Sequence, residues 1–243
     1  MNYKINHKHF KTIPSTQSYL KDNYSKLVQK TDNENILIST SSQSEGQGRY
    51  GNQWDHYNNS LAFSFSLKIS TNDDFNIIPL ALSVYLIEWL KLKTKINLKV
   101  KWPNDILTNS LEKCGGILCN FLKPSTIIVG IGINYGKTSF NLNPSYKTKP
   151  GIILKDSIIN ETEKKELPYS FYKYLLQEEC KTNDKIQKWE KFCAHLNKNV
   201  RLTTGPQSSY EGIFKGLTSK GEAIIEGENL IRKTFISGSL NIS

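Results

Sequence analysis

The segment from Gln43 to Trp54, QSEGQGRYGNQW, sets Gly46, Gly48 and Gly51 around Arg49, one of only three arginines in the chain. Bare backbone N–H groups in such a run can approach an anion or a carboxylate closely. Arg49 can fork onto a phosphate or a carboxylate, and Trp54 offers an aromatic plane for a base. The glycines spell G-x-G-x-x-G, but the dinucleotide-binding fingerprint needs a helix directly after them to hold a pyrophosphate. Here Trp54, Asp55 and Asn58-Asn59 lead into an alternating strand instead, which excludes that reading. Taken alone, a glycine-rich surface loop anchored by Trp54 is the plain alternative.

Further along, Lys101–Asp105 reads KWPND at the end of a short apolar run, where Trp-Pro sets a turn and Asn104-Asp105 supply polar groups. Lys113-Cys114-Gly115-Gly116 then opens a strand with a lysine ahead of two glycines, and GIGIN places Asn134 at another glycine-rich strand end. Two lysines, an arginine, an aspartate, two asparagines and bare backbone suit the binding of polyanions and the stabilisation of developing charge. There is no Ser-His-Asp set and no Cys-His pair at catalytic spacing. No C-x-x-C occurs among Cys114, Cys119, Cys180 and Cys193, so no protein metal site is expected and the thiols read as reduced. His7 and His9 read as exposed near the terminus.

These residues need a scaffold, and the periodicities supply one. Ser15 to Lys30 reads as a helix capped by Ser15 or Thr16, with Leu20, Tyr24, Leu27 and Val28 on one face. Asn35–Thr40 reads as a strand, and Leu61–Ile69 alternates as a half-buried one. Pro79 opens a largely apolar helix to about Lys93. Strands follow at Leu98–Lys101, Gly116–Phe121 and Thr126–Gly132, the last two joined around Pro124-Ser125 as a hairpin. A polar loop runs from Tyr135 to Gly151, and a helical pattern returns from Glu163 to Leu196. From Asn199 to Ile242, short alternating runs punctuated by Gly205, Gly212, Gly216, Gly221 and Gly227 predict a small β-barrel of about five short strands. The fold class is therefore α+β: a mixed-sheet domain with flanking helices over residues 1–196, then a small β domain over 197–243.

The 243 residues carry 37% hydrophobic and 22% charged side chains, a globular composition. The apolar stretch Ile77–Leu90 is too short and too broken by Glu88 to span a bilayer, and the N-terminus has no apolar signal core. No membrane association and a cytoplasmic location are expected. The net charge of +10 comes from 32 basic against 22 acidic residues, nearly all the basic ones scattered lysines. Base-edge reading relies on the arginine fork, so this coat argues for solubility and weak steering of acidic ligands.

The motifs Ser15-Thr16-Gln17, Q-x-x-G-x-G-R-x-G-x-x-W over Gln43–Trp54, KWPND, K-x-G-G-I-L and GIGIN occur in the order seen in biotin protein ligases, which the chain resembles over most of its length. The stretch from Asn199 to Ser243 is similar to the SH3-like domain of that family. The resemblance implies that ATP and biotin are substrates, condensed to biotinyl-5′-adenylate, which acylates one lysine of a biotin carboxyl carrier domain. It implies a biotin site of Ser15, Thr16, Gln17, Gln43, Gln47, Gly48, Arg49, Lys113 and Gly115. Nucleotide contacts would come from Arg49, Asn52, Trp54, Lys101, Asn104 and Asn134. Lys113 and Arg49 would act catalytically at the acyl–phosphate junction. Mg²⁺ is expected to arrive with ATP. Because an acceptor lysine is only about 0.1% deprotonated near pH 7.5, a group must orient or deprotonate it, and Asp105 is the one the pattern offers, as base or as brace.

Two departures from the family pattern carry expectations. Gln47 and Asn52 stand where arginines are common, which predicts looser retention of the adenylate. The Ser15-Thr16-Gln17 motif begins too early for a preceding helix-turn-helix, so a monofunctional ligase without DNA binding is expected. The resemblance leaves a homodimer open. The rival readings are a lipoate or octanoate ligase or transferase of the same fold, and a non-catalytic lysine-rich nucleic-acid-binding protein.

Overall fold

The computed structural model describes residues 3–70, 74–123, 125–140, 148–178, 183–205 and 208–242. In chain order the elements are β1 (Asn6–Phe10), α1 (Thr16–Thr31), β2 (Ile36–Thr40), β3 (Ser60–Lys68), α2 (Ile77–Thr94), β4 (Lys99–Lys101), β5 (Asp105–Leu107), β6 (Lys113–Lys123), β7 (Thr126–Asn134), α3 (Glu161–Gln177), α4 (Asn183–Phe192), β8 (Asn199–Gly205), β9 (Ser208–Leu217), β10 (Ala223–Glu226), β11 (Arg232–Phe235) and β12 (Ser239–Ile242). They form two compact units. The first holds Met1–Asn72, Cys114–Asn141 and Gly151–Cys180; the second holds Asp73–Lys113, Leu142–Pro150 and Lys181–Ser243.

The first unit is built on strands in the order β1-β2-β3-β7-β6, with β1 parallel to β2 and the remaining pairs antiparallel. Helix α1 starts where Ser15 adopts an extended backbone and its hydroxyl accepts from the Ser18 N–H, satisfying one orphan donor of the first turn. Leu20 and Tyr24 on its inner face pack with Ile36, Ile38 and Ile128. Helix α3 is opened by a reciprocal capping box between Asn160 and Glu163. Its Phe171 and Tyr172 pack against Phe63 and Phe65 of β3.

Strand β3 corrects the expectation of a half-buried strand, because all its residues but Lys68 are buried. One face carries Phe63, Phe65 and Leu67. The other carries serines small enough to lie under the structure above and to find partners there: Ser64 Oγ pairs with Thr16 Oγ1 at 2.9 Å, and Ser66 Oγ donates to the Glu34 carbonyl at 2.5 Å. Alternation of apolar and small polar residues therefore marks two covered faces here, not one wet one. The histidines near the terminus are corrected too: His7 and His9 are half-buried and both rings bond Ser39.

The second unit contains α2, buried along most of its length, the β4–β5 hairpin, α4 and an antiparallel sheet in the order β11-β10-β9-β8-β12. The helical pattern expected over Glu163–Leu196 resolves into α3 and α4, and residues 179–182 lie outside the described residues. Pro124 of the β6–β7 turn and residues 141–147 of the polar loop also lie outside them. The predicted C-terminal barrel does not close by pairing: among the described residues no ladder joins β11 to β12. Yet only Ile236, Ser237 and Gly238 separate these two edge strands, with Gly238 at φ 155°. Four chain steps reach about 14 Å, whereas the edges of a flat five-stranded sheet lie about 19 Å apart. The sheet is thus rolled, with bulges at Ile224/Ile225 and Thr203/Gly205 supplying bend, and its short strands stop before the seam pairs. Among the described residues no helix is long and apolar enough to cross a membrane.

Candidate active site

In the first unit the register of β3, β7 and β6 brings small residues together on one face. Ser64 and Ala62 lie opposite Gly130 and Gly132, which in turn face Leu118 and Gly116 across the next ladder. This floor has room for backbone-close contacts. At Gly130 an added Cβ would lie 2.5 Å from Gln17 Oε1, and at Gly132 it would lie 2.4 Å from Trp54 Cε2. Asn134, two residues beyond Gly132, is buried on the same face with its Oδ1 3.4 Å from Ser60 Oγ.

Helix α1 projects its first residues onto the same floor. Gln43 Oε1 accepts from the Thr16 N–H at 2.9 Å and lies 3.3 Å from Thr16 Oγ1. Gln17 Nε2 donates to Asn120 Oδ1 at 2.8 Å and to the Ile128 carbonyl at 3.1 Å. Gln17 Oε1 is buried with no hydrogen-bond partner among the described residues, which is costly for a bare acceptor and suits a ligand donor.

The glycine-rich loop folds back on itself as a narrow ladder. Trp54 N–H donates to the Gly46 carbonyl at 2.9 Å, Gln47 bridges Gln53, and Gly48 N–H donates to the Asn52 carbonyl at 2.7 Å. A side chain at Gly46 would lie 2.2 Å from the Trp54 carbonyl oxygen, so this closure depends on glycine. At the tip, Tyr50 (φ 57°) and Gly51 (φ 75°) turn the chain, and Arg49 stacks 4.8 Å over the Tyr50 ring while Nη2 donates to Tyr50 Oη at 2.9 Å. Asn52 Nδ2 holds the Arg49 carbonyl at 2.7 Å. Under this ladder lies a cavity of about 590 Å³, lined by loop residues from Ser44 to Gln53 together with Leu118 and Asn120.

In the second unit the hairpin register sets Lys101 opposite Asp105 across Trp102–Asn104. The Trp102–Pro103 bond is cis, and the buried Trp102 indole donates to the Gly221 carbonyl at 3.1 Å. Asp105 is enclosed by two ammonium groups: Oδ1 lies 2.6 Å from Lys113 Nζ and Oδ2 lies 3.0 Å from Lys101 Nζ. Lys101 also donates to Thr148 Oγ1 at 2.9 Å, and Lys113 N–H to the Lys149 carbonyl at 2.7 Å. Burial pushes the Asp105 carboxyl up, but Lys113 and Lys101 outweigh it and hold it below the usual carboxylate range. Such a carboxylate stays ionised and is a weak base. Lys101 is buried, whereas the Lys113 side chain is one-third exposed, so its ammonium can meet an anion. Asn104 sits in the turn of this hairpin.

Of the expected residues, the first unit gathers Ser15, Thr16, Gln17, Gln43, Gln47, Gly48, Arg49, Asn52, Trp54, Gly115 and Asn134, and the second gathers Lys101, Asn104, Asp105 and Lys113. Ser15 is committed to capping α1. Sequence reasoning missed Leu118 and Asn120. Their signal was present: they continue the alternation from Gly116 and so share its face. It also missed the polar cluster of His9, Ser41, His56 and Glu161, whose members are far apart in the chain.

Comparison with known proteins identifies the family of the chain. The model of the "Biotin/lipoate A/B protein ligase family" matches residues 9–135, and that of the "Biotin protein ligase C terminal domain" matches residues 195–239. A biotin protein ligase from Aquifex aeolicus, solved in complex with biotin and ATP, superposes with a TM-score of 0.77 at 26% identity, covering 98% of this chain and 99% of the other. The bifunctional ligase/repressor BirA of Escherichia coli K12 is 25% identical over 95% of this chain and 72% of its own. The human biotin–protein ligase is 26% identical over 77% of this chain, and the chloroplastic biotin–protein ligase 1 of Arabidopsis thaliana is 30% identical over 50% of it. The chain spans only about a third of the length of these two, 28% and 34% respectively. With a family match over more than half its residues, and with the mixed sheet followed by a rolled C-terminal sheet, the chain belongs to the biotin/lipoate A/B protein ligase family.

Proposed function

We propose that this chain condenses biotin with ATP and transfers biotin to a lysine of a biotin carboxyl carrier domain. In the first step a biotin carboxylate oxygen bonds to the α-phosphorus of ATP and pyrophosphate leaves with the bridging electron pair. In the second, the amine of the acceptor lysine attacks the acyl carbon, an amide forms, and AMP departs while the amine loses its protons to solvent. The observation that carries this reading is the Lys101–Asp105–Lys113 cluster, in which one buried carboxylate organises two cations and leaves Lys113 partly exposed. Preorganised positive charge of this kind stabilises the charge that develops as pyrophosphate leaves.

The roles follow from the chemistry of each group. Thr16, Gln17 and Gln43 supply the neutral donors and acceptors suited to a ureido ring, with Ser15 holding the helix end that presents them. Gln47, Gly48 and Gly115 pass backbone or amide along the ligand. Arg49 and Lys113 take the carboxylate and α-phosphate, while Asn52, Trp54, Lys101, Asn104 and Asn134 serve the nucleotide. For Asp105 the low carboxyl pKa favours the brace: it fixes Lys113 and offers negative charge to an arriving ammonium, and it is a poor proton acceptor. Mg²⁺ is taken to travel with the triphosphate, whose oxygens suit it. A catalytic domain over residues 1–196 and a β domain over 197–243, in a cytoplasmic protein, complete the reading, the division supported by the C-terminal family match.

The deciding experiment is ATP–pyrophosphate exchange by the purified chain with biotin, lipoate or octanoate, followed by transfer of label to a biotin carrier domain. Exchange with biotin alone is expected. Exchange with lipoate would assign the chain to the lipoate branch, and no exchange with any acid would overturn adenylation altogether.

A further inference from the structure

Both stems of the glycine-rich loop end in one polar cluster. Ser41, the residue that follows β2, forms the entry stem, and His56, two residues beyond Trp54, forms the exit stem. All the polar groups of Ser41 are engaged. Its N–H donates to the Phe10 carbonyl at 2.9 Å, its carbonyl accepts from His56 Nε2 at 3.0 Å, and its hydroxyl contacts His9 Nε2 at 3.0 Å and Glu161 Oε2. The His56–Ser41 bond spans 15 residues and closes the base of the loop.

The proton directions in this cluster are determined. An ionised carboxylate only accepts, so the Ser41 hydroxyl donates to Glu161 and accepts from His9 Nε2–H. His9 Nδ1 then accepts from the Ser39 hydroxyl at 2.8 Å, and Ser39 accepts from His7 Nε2–H at 2.7 Å. On the other side, donation to a carbonyl requires the proton of His56 on Nε2. Its Nδ1 is buried without a hydrogen-bond partner among the described residues. Burial, against the raising effect of the Ser41 carbonyl and with help from Lys164, keeps this imidazole neutral. Lys164 is in turn engaged by Glu161 at 3.0 Å.

We propose that His56 is a positioning residue: by clasping Ser41 it closes the base of the glycine-rich loop and presets the separation of Gln43 on one stem from Trp54 on the other. Gln43 is seated on Thr16 and Trp54 on Gly132, so a closed base presents both before a substrate arrives. The bond from the Trp54 N–H to the Gly46 carbonyl closes the rungs above, and ordering the two stems below them would otherwise be charged against substrate binding. The inference rests on the ligase reading of this loop given above, although the clasp itself can be tested without it.

The test compares the full chain with His56→Phe, which keeps a ring and loses the donor, and His56→Gln, whose amide can still donate. Amide hydrogen exchange of residues 43–54 is measured without substrates, and KM for biotin and kcat are measured by pyrophosphate exchange. For His56→Phe, loop amides should exchange about tenfold faster and KM for biotin should rise about tenfold, the scale of one lost hydrogen bond, with kcat within about twofold. Amides of α1 and β3 should keep their protection, and His56→Gln should recover most of both effects. Unchanged loop exchange in His56→Phe, or a loss of protection spread equally over the whole sheet, would overturn the proposal. So would a fall in kcat at constant KM. A wild-type chain without biotin-dependent exchange would refute the ligase reading, and loop exchange alone would then decide the clasp.

Discussion

The α-carbon of Gly132 lies so close beneath the indole of Trp54 that an added Cβ would come within 2.4 Å of Cε2 and 2.6 Å of Nε1. The tryptophan that closes the glycine-rich ladder is therefore seated on a strand position that has no room for a methyl group. Gly132→Ala should lift the indole, with an overpacking cost of about 1–3 kcal/mol, and raise KM for ATP about tenfold or more. Pyrophosphate exchange at varied ATP, with tryptophan fluorescence as a report on the ring, checks this. An unchanged KM would remove Trp54 from the nucleotide site.

Asp105 is expected to contribute to stability and function separately. Asp105→Ala leaves the buried Lys101 without its carboxylate, and breaking a buried pair in this way costs about 3–5 kcal/mol. Urea unfolding should show that loss. The double variant Lys101→Met/Asp105→Leu removes both charges and should recover most of the stability while remaining inactive in exchange and transfer. Recovery of activity together with stability would make the cluster merely structural.

Acid should destabilise the chain from about pH 6.5 downward. His195 is fully buried between Trp189 and Phe214, and burial foremost, with Lys101 and Lys198, lowers its pKa to about 3. The native ring stays neutral there while the unfolded chain binds a proton, so stability falls with pH by about 1 kcal/mol per unit between roughly 6.5 and 3. His7, lowered to about 4 by burial, His9 and Lys165, acts in the same direction over the upper part of that window. Asp105 adds a loss at lower pH: its depressed pKa makes its contribution complete above about 4 and lost as pH drops through the folded value. Urea midpoints from pH 8 to 4 should be level above 7 and decline below 6.5. A level profile down to pH 5 would contradict the buried neutral imidazoles.

Gln47 and Asn52 occupy positions where arginines are common in biotin protein ligases, but they differ in what replacing them would disturb. Asn52 holds the loop tip through the Arg49 carbonyl, whereas Gln47 is exposed on the ladder beside the cavity. Gln47→Arg should therefore slow adenylate release about tenfold by adding a charge-assisted contact, while Asn52→Arg should gain less because it loosens the tip. Off-rates of labelled biotinyl-adenylate measure both.

The sequence was most readable where a single element decides the outcome. The helix after Ser15, the apolar α2, the β6–β7 pair and the five C-terminal strands all follow from local periodicity and turn residues. It was least readable where burial depends on what lies above a strand. Ser64 and Ser66 looked like a wet face because alternation does not report whether a second layer covers it. The site split in the same way. Lys113, Asp105 and the glycine-rich loop stand out by residue type and spacing. Asn120 instead takes its place from a bond to Gln17, more than a hundred positions away, and the His56–Ser41 clasp joins residues that no motif connects.

Gly221 has a consequence for recombining parts of such proteins. It sits at φ 77° in the turn before β10, gives its carbonyl to the Trp102 indole, and an added Cβ would stand 2.9 Å from Leu80 Cδ1. The tail of the chain is thus keyed to the KWPND hairpin and to α2 at this residue. A chimera that exchanges everything beyond residue 196 for a foreign β domain will fit only if the donor brings a glycine with a free carbonyl to that spot. Any other graft strands a buried indole proton and collides with a leucine.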